Sequence, residues 1–182
     1  MPRVARVRRE SGHCDVRAPI VVAAFQTDAR ANGGLSSLSA LLERLEAFLP
    51  VVITDRESDF TERWRRAGCE VHMWPDVALD GVRVPALRRL RRAGRLLAVN
   101  QRVRALLVRV GCRLVHCNDI QALLHVAPAA RLLGCKVLFS IRSTQGVHGL
   151  RWRLARTLSH RVIALSAEMR EHLERELTPF AL

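Results

Sequence analysis

Between Arg113 and Ser143 the chain reads as strand, acidic turn, helix and strand, and this unit restricts the fold more than any other stretch. Leu114, Val115, His116 and Cys117 form a short apolar run that stops at Asn118-Asp119. Ile120, Leu123, Leu124, Ala127, Ala130 and Leu133 then recur at helical spacing, Gly134 closes the helix, and Val137 to Ile141 make a second buried-strand run ending at Arg142-Ser143. Two strands joined through a helix must run parallel, and open parallel sheets place their ligands just past the carboxyl ends of the strands. The polar residues at both strand ends therefore mark a site.

The rest of the chain repeats the alternation. Pro19 to Phe25 is a continuous apolar run suited to a strand covered on both faces. It passes through a polar turn, Gln26 to Gly34, into a helical stripe of Leu35, Leu38, Leu41, Leu42, Leu45, Phe48 and Leu49. Val51 to Thr54 follows as a second strand, Asp59 to Ala67 as a helix stopped by Gly68, and Val71 to Trp74 as a third strand. Asp76 to Pro85 reads as a loop. Leu87, Leu90, Leu97, Val103, Leu106 and Val110 mark one long helix or a pair broken near Gly94. After the central unit come a helix from Leu150 to Leu158, a sixth strand from Val162 to Leu165, and a helix that Ser166 caps. Six strands alternating with helices predict an α/β fold built on one doubly wound, Rossmann-like parallel sheet. Right-handed crossovers then give the order 3-2-1-4-5-6, with strands 1 and 4 adjacent at the switch point.

At 182 residues and 49% hydrophobic the chain suits a single core over residues 19–182, with residues 1–18 as a loose basic extension. The formal charge is +13, and of 30 basic residues Lys136 is the one lysine, so the positive charge is nearly all guanidinium. Such a balance calls for an anionic partner: phosphate ligands, an acidic membrane face or nucleic acid. Nucleic acid is disfavoured because the chain has no Tyr and few aromatic platforms for bases. Five cysteines without a C-x-x-C pair fit reduced thiols in the cytoplasm. No apolar run reaches the ~20 residues of a membrane span, and the N-terminal segment lacks a signal's apolar region.

Asn32-Gly33-Gly34 lies where strand 1 hands over to a helix N-terminus, a place where bare N–H groups and the helix dipole suit phosphate; it is equally a place for an ordinary tight turn. The dinucleotide fingerprint and the P-loop are both absent. Asp119 suits either a substrate hydroxyl or the cap of the helix that follows, whereas Asn118 has no comparable structural duty. His116 reads as a buried imidazole or a base. Arg142 offers a planar guanidinium for phosphate or carboxylate at the same sheet rim. The Arg-rich helix over 88–109 suits acidic lipid headgroups and equally a solvated outer face. No metal is expected: zinc-ligand spacing and D-x-D pairs are missing.

These residues resemble, in order and spacing, the N-terminal half of family 4 glycosyltransferases, which have the two-domain GT-B fold. The resemblance is carried by Asn32-Gly33-Gly34, Leu114 to Asp119, Ala127 to Gly134, Ile141-Arg142-Ser143 and Val162 to Met169. It includes Pro128 inside a helix, which periodicity alone disfavours. It implies an acceptor-side domain that helps move a sugar from a nucleotide diphosphate sugar to a glycan or lipid-linked acceptor, as in cell-envelope polysaccharide synthesis. Asn32, Gly33 and Gly34 would contact the donor diphosphate; Asn118, Asp119 and Arg142 would form the catalytic rim, with His116, Ser166 and Glu168 as additional site residues. Many members have histidine in place of Asn118 and Arg142, so a histidine base is not implied. The resemblance further implies a C-terminal donor-domain polypeptide as partner and no activity from this chain alone, while peripheral contact with an anionic membrane face is what the Arg-rich helix, not the resemblance, suggests. The reading of a different class is a non-catalytic basic α/β module that binds an acidic surface.

Overall fold

A computed structural model describes residues 17–25, 33–74, 85–141 and 150–177. Six strands form one parallel sheet: β1 (Ala18–Ala23), β2 (Phe48–Thr54), β3 (Glu70–Met73), β4 (Leu114–Cys117), β5 (Lys136–Ile141) and β6 (Arg161–Ala164). Their order is β3-β2-β1-β4-β5-β6, as the alternation predicts. The connecting helices are α1 (Gly33–Leu42), α2 (Asp59–Arg66), α3 (Pro85–Val110), α4 (Ile120–Leu132), α5 (Leu150–Leu158) and α6 (Ala167–Leu177).

The central strands are apolar at successive positions because both faces are covered. Val21, Val115, Val137 and Phe139 look toward α3, α4 and α5, in a cluster with Val103, Leu107, Val126 and Ala155. The alternate residues Ile20, Val22 and Val52 look toward α1 and α2, against Leu35, Leu38 and Trp64. Trp64 is fully buried, and its indole Nε1–H donates to Ser39 Oγ at 2.8 Å, so its single polar atom is satisfied across the α1–α2 contact.

One local expectation changes, and at Gly94 one of two open readings is decided. The stripe running on through Leu45, Phe48 and Leu49 predicts one helix, yet α1 ends at Leu42. Its last bonds tighten, with Arg44 N–H to Leu41 O at 3.0 Å, and Phe48 and Leu49 instead open β2, paired with Ala18 and Pro19. Leu45 and Phe48 still pack on the α1–α2 side of the sheet. Their helical spacing was therefore a burial pattern shared by two elements, and strand pairing overrode local propensity. α3 runs unbroken through Gly94. A mid-helix glycine costs only ~1 kcal/mol relative to alanine, which the packing of Val99, Val103, Leu106 and Leu107 outweighs.

Helix α4 ends as its sequence predicts. Gly134 takes φ 73°, its N–H reaches Arg131 O at 3.0 Å, and the next N–H, of Cys135, reaches Ala130 O at 2.9 Å.

Candidate functional site

β1 is the hinge of the carboxyl edge because it pairs with β2 at Ala23↔Ile53 and with β4 at Ala23↔Cys117. Two residues further along each strand, Phe25, Asp55 and Asp119 come level with one another at the switch point. Past β4 the backbone N–H of Asn118 donates to Ala23 O at 2.9 Å, and the residue is buried. Asp119 then opens α4 as its cap: Oδ1 accepts from Ala122 N–H at 2.8 Å. Its other oxygen, Oδ2, accepts from Phe25 N–H at 3.1 Å. One carboxylate thus ties the end of β1 to the start of α4, so Asp119 carries the capping role and a tether that no local pattern encodes.

Burial pushes the Asp119 carboxyl up to about 6, against the lowering by the N–H groups of Ala122, Phe25 and Gln121; the nearby Asp55 charge raises it further. The sign of the pH dependence follows. Between the ordinary 3.8 and about 6 the folded protein keeps a proton that the unfolded chain has released, so this group's contribution to stability falls as pH rises across that interval and is level above it. Glu43 and Glu57, held below the usual range chiefly by hydrogen bonds from Arg63 and Arg65, act in the opposite direction. Comparison with Asp119→Asn isolates the one group. Urea unfolding across pH 4 to 7 should show the Asn variant gaining on wild type as pH rises; parallel stability curves would dismiss the assignment.

His116 is buried on β4, with Nε2 2.8 Å from Ser140 Oγ on β5, which matches the satisfied-imidazole reading. Ser166 caps α6, Oγ accepting from Met169 N–H at 3.1 Å, and Glu168 is exposed in the first turn of that helix. Gly33 and Gly34 are the first two residues of α1. Glycine at 33 is not needed for packing, since an added Cβ would meet nothing within 4 Å. Asn32 and Arg142 lie outside the described residues.

Asp55 was not anticipated. It is buried at the end of β2, within 3.4 Å of Arg56 Nη2, and acts electrostatically on Asp119. The signal was present in the sequence: Asp55-Arg56 follows the apolar run of β2 as Asn118-Asp119 follows that of β4. Phe25, whose ring meets His125 edge-on at 5.7 Å, belongs to the same rim. The thiols of Cys69, Cys112, Cys117 and Cys135 are buried and raised by that burial; of the four, Cys117, the last residue of β4, lies at this edge, where thiolate chemistry is therefore disfavoured. Among the described residues no group of three or more His, Cys, Asp and Glu could hold a metal ion, and no helix is long and apolar enough to cross a membrane.

The fold is that of solved glycosyltransferases. Acinetobacter baumannii MurG matches with a TM-score of 0.58 at 14% identity, over 84% of this chain and 42% of that one. Anabaena Alr3699/HepE, in complex with UDP and glucose, matches with a TM-score of 0.59 at 15% identity, over 86% and 40%. A glycosyltransferase from Rickettsia africae ESF-5 matches with a TM-score of 0.61 at 12% identity, over 87% and 39%. The chain thus spans about two-fifths of the length of these proteins. No curated protein matches it. The Glycosyltransferase Family 4 pattern matches residues 51–179, from β2 through α6. With a six-stranded parallel sheet in the order 3-2-1-4-5-6 and that match over more than half its length, this chain belongs to glycosyltransferase family 4.

Proposed function

We propose that the chain is the acceptor-side domain of a glycosyltransferase that moves a sugar from a nucleotide diphosphate sugar to a hydroxyl of a glycan or lipid-linked acceptor. The observation that carries this reading is the tether between Asp119 and Phe25. It holds Phe25, at the end of β1, beside the Asn118–Asp119 turn, which supports a reading in which the diphosphate contact and the acceptor rim border one crevice. In this reading Asn32, Gly33 and Gly34 offer backbone N–H groups and the positive end of α1 to the departing diphosphate. Asn118 and Arg142 line the path of the transferring sugar. Asp119, both of whose oxygens hold backbone N–H groups, positions the rim. His116, Ser166 and Glu168 lie outside the chemistry.

Rate enhancement would come from positioning and from charge stabilisation of the leaving group. Backbone N–H groups and Arg142, rather than a divalent cation, carry that load. HepE binds UDP, which makes a uridine nucleotide the first donor class to test. The second wall of the crevice is assigned to a donor-binding domain.

The test is Gly33→Val in enzyme reconstituted with a separately expressed C-terminal half from a related transferase. Because an added Cβ at 33 meets nothing within 4 Å, the fold should be kept. Because it blocks backbone approach, UDP affinity should fall by about tenfold to a hundredfold, the worth of one hydrogen bond to a charged group. Equal UDP affinity in variant and wild type would remove the glycines from the diphosphate site.

A further inference from the structure

Transfer to a hydroxyl needs a protein group that accepts the hydroxyl's hydrogen bond and so fixes which oxygen faces the donor. Several polar side chains of the carboxyl edge are committed elsewhere. Asp119 uses both oxygens on the N–H groups of Ala122 and Phe25. His116 is bonded to Ser140 on the neighbouring strand, and the buried Asp55 is paired with Arg56 at 3.4 Å.

His125 is placed differently. It lies on α4, and its Nδ1 is 2.8 Å from Gln121 O, one turn back. A carbonyl oxygen only accepts, so Nδ1 carries the hydrogen, and in the neutral imidazole Nε2 then holds the free lone pair. Helical side chains lean toward the helix N-terminus, which for α4 is the Asn118–Asp119 turn. A second side of the ring is fixed by Phe25, edge-on at 5.7 Å, and Phe25 is the residue tethered to Asp119. The imidazole is half-buried, and among the described residues Nε2 has no hydrogen-bond partner. Tautomer and ring position are thus both set by neighbours, while the accepting nitrogen is left for something else.

We propose that His125 is an acceptor-recognition residue whose Nε2 accepts a hydrogen bond from a hydroxyl of the glycan or lipid-linked acceptor. The inference rests on the transferase reading of the crevice and adds the side chain that reads the acceptor. Its chemistry selects a neutral hydroxyl, because an ionised carboxylate or phosphate group has no hydrogen to offer Nε2. Phe25 is buried, so it supports the imidazole and does not itself offer a stacking face to a sugar.

The first test uses the full chain alone. Imidazole nitrogen shifts in NMR, assigned to His125 by their loss in His125→Gln, should place the hydrogen of the neutral ring on Nδ1; a hydrogen on Nε2 would overturn the proposal. The second uses the chain completed by a separately expressed C-terminal half from a related transferase, with a panel of nucleotide sugars and a crude glycolipid extract as the acceptor probe. His125→Phe keeps a ring against Phe25 but has no accepting atom. It should raise the apparent KM for the extract by about tenfold, the worth of one hydrogen bond left unmade, with UDP affinity unchanged. His125→Gln, whose amide oxygen also accepts, should recover part of that loss. His72→Gln on β3 is the control and should leave KM where it is. Should circular dichroism show that the Phe variant is not folded, His125→Leu takes its place. An unchanged KM in the variant without an acceptor atom, or an equal loss in His125→Gln, would overturn the proposal and leave the transferase reading standing. Absence of transfer by the completed wild-type enzyme would instead overturn that reading, and the acceptor role with it.

Discussion

Residues 1–182 alone, purified and offered a panel of nucleotide sugars with a crude glycolipid extract, are expected to transfer no sugar, and to do so when a donor-binding half from a related enzyme is added. The expected difference is large because holding donor and acceptor in near-attack contact is worth roughly 7 to 11 kcal/mol, a factor of at least about 10⁵ in rate. In the proposed arrangement one wall of the crevice comes from this chain, which spans about two-fifths of MurG, HepE and the Rickettsia enzyme. An open crevice also keeps water against Gly33 and Asn118, so contacts that would stabilise the leaving diphosphate act in high dielectric and lose most of their strength. Surface meant for a domain interface should make the isolated chain prone to associate. Turnover by the chain alone would show that these residues, or an assembly of them, build the donor site, and the two-wall reading would fall.

The largest stability effect should come from Trp64→Ala. Among the described residues Trp64 is the largest fully buried side chain, and it fills the space between α1, α2 and the sheet. Removing a buried indole typically costs 3 to 5 kcal/mol, about a third to a half of the net stability of a typical domain. Trp64→Phe should cost less, because it keeps most of the volume and gives up the bond to Ser39; Ser39 Oγ still donates to Leu35 O at 2.9 Å and is not orphaned. Urea midpoints of the three proteins rank them. A loss below about 1 kcal/mol for the alanine variant would mean that α1 and α2 can collapse onto the sheet, contrary to the packing described.

Most of the family segments were legible because they lie at element boundaries, where sequence and backbone are most tightly coupled; Ala127 to Gly134, for example, is the end of α4. Leu114 to Cys117 had to be a strand and Asn118-Asp119 had to end it, since an apolar run stops there and a helical stripe begins. Asp119 as a cap was one of the two readings that position offered; its second bond, to Phe25, was not among them. Phe25 lies 94 residues away, and only the pairing of β1 with β4 brings its N–H within 3.1 Å. Asp55 became visible for the same reason: its position at a strand end is local, but its effect on Asp119 needs β2 and β4 on either side of β1.

What the sequence by itself determined is the alternation of strands and helices and, through the right hand of every parallel crossover, the strand order and switch point. What only tertiary structure decided is where helical periodicity stops and how exceptions are accommodated. Phe48 and Leu49 keep helical spacing but are strand residues because β1 offers them hydrogen-bonding partners. Pro128 breaks the rule for a helix interior: it has no N–H to give, and its ring crowds the preceding turn. α4 continues past it, and the N–H of the following residue, Ala129, is taken by Asn100 Oδ1 of α3 at 2.9 Å. Asn100 is itself held by its amide N–H to Leu96 O at 2.8 Å. The two residues are 29 positions apart, and a buried N–H must find an acceptor somewhere; which one it finds is settled by the packing of one helix on another.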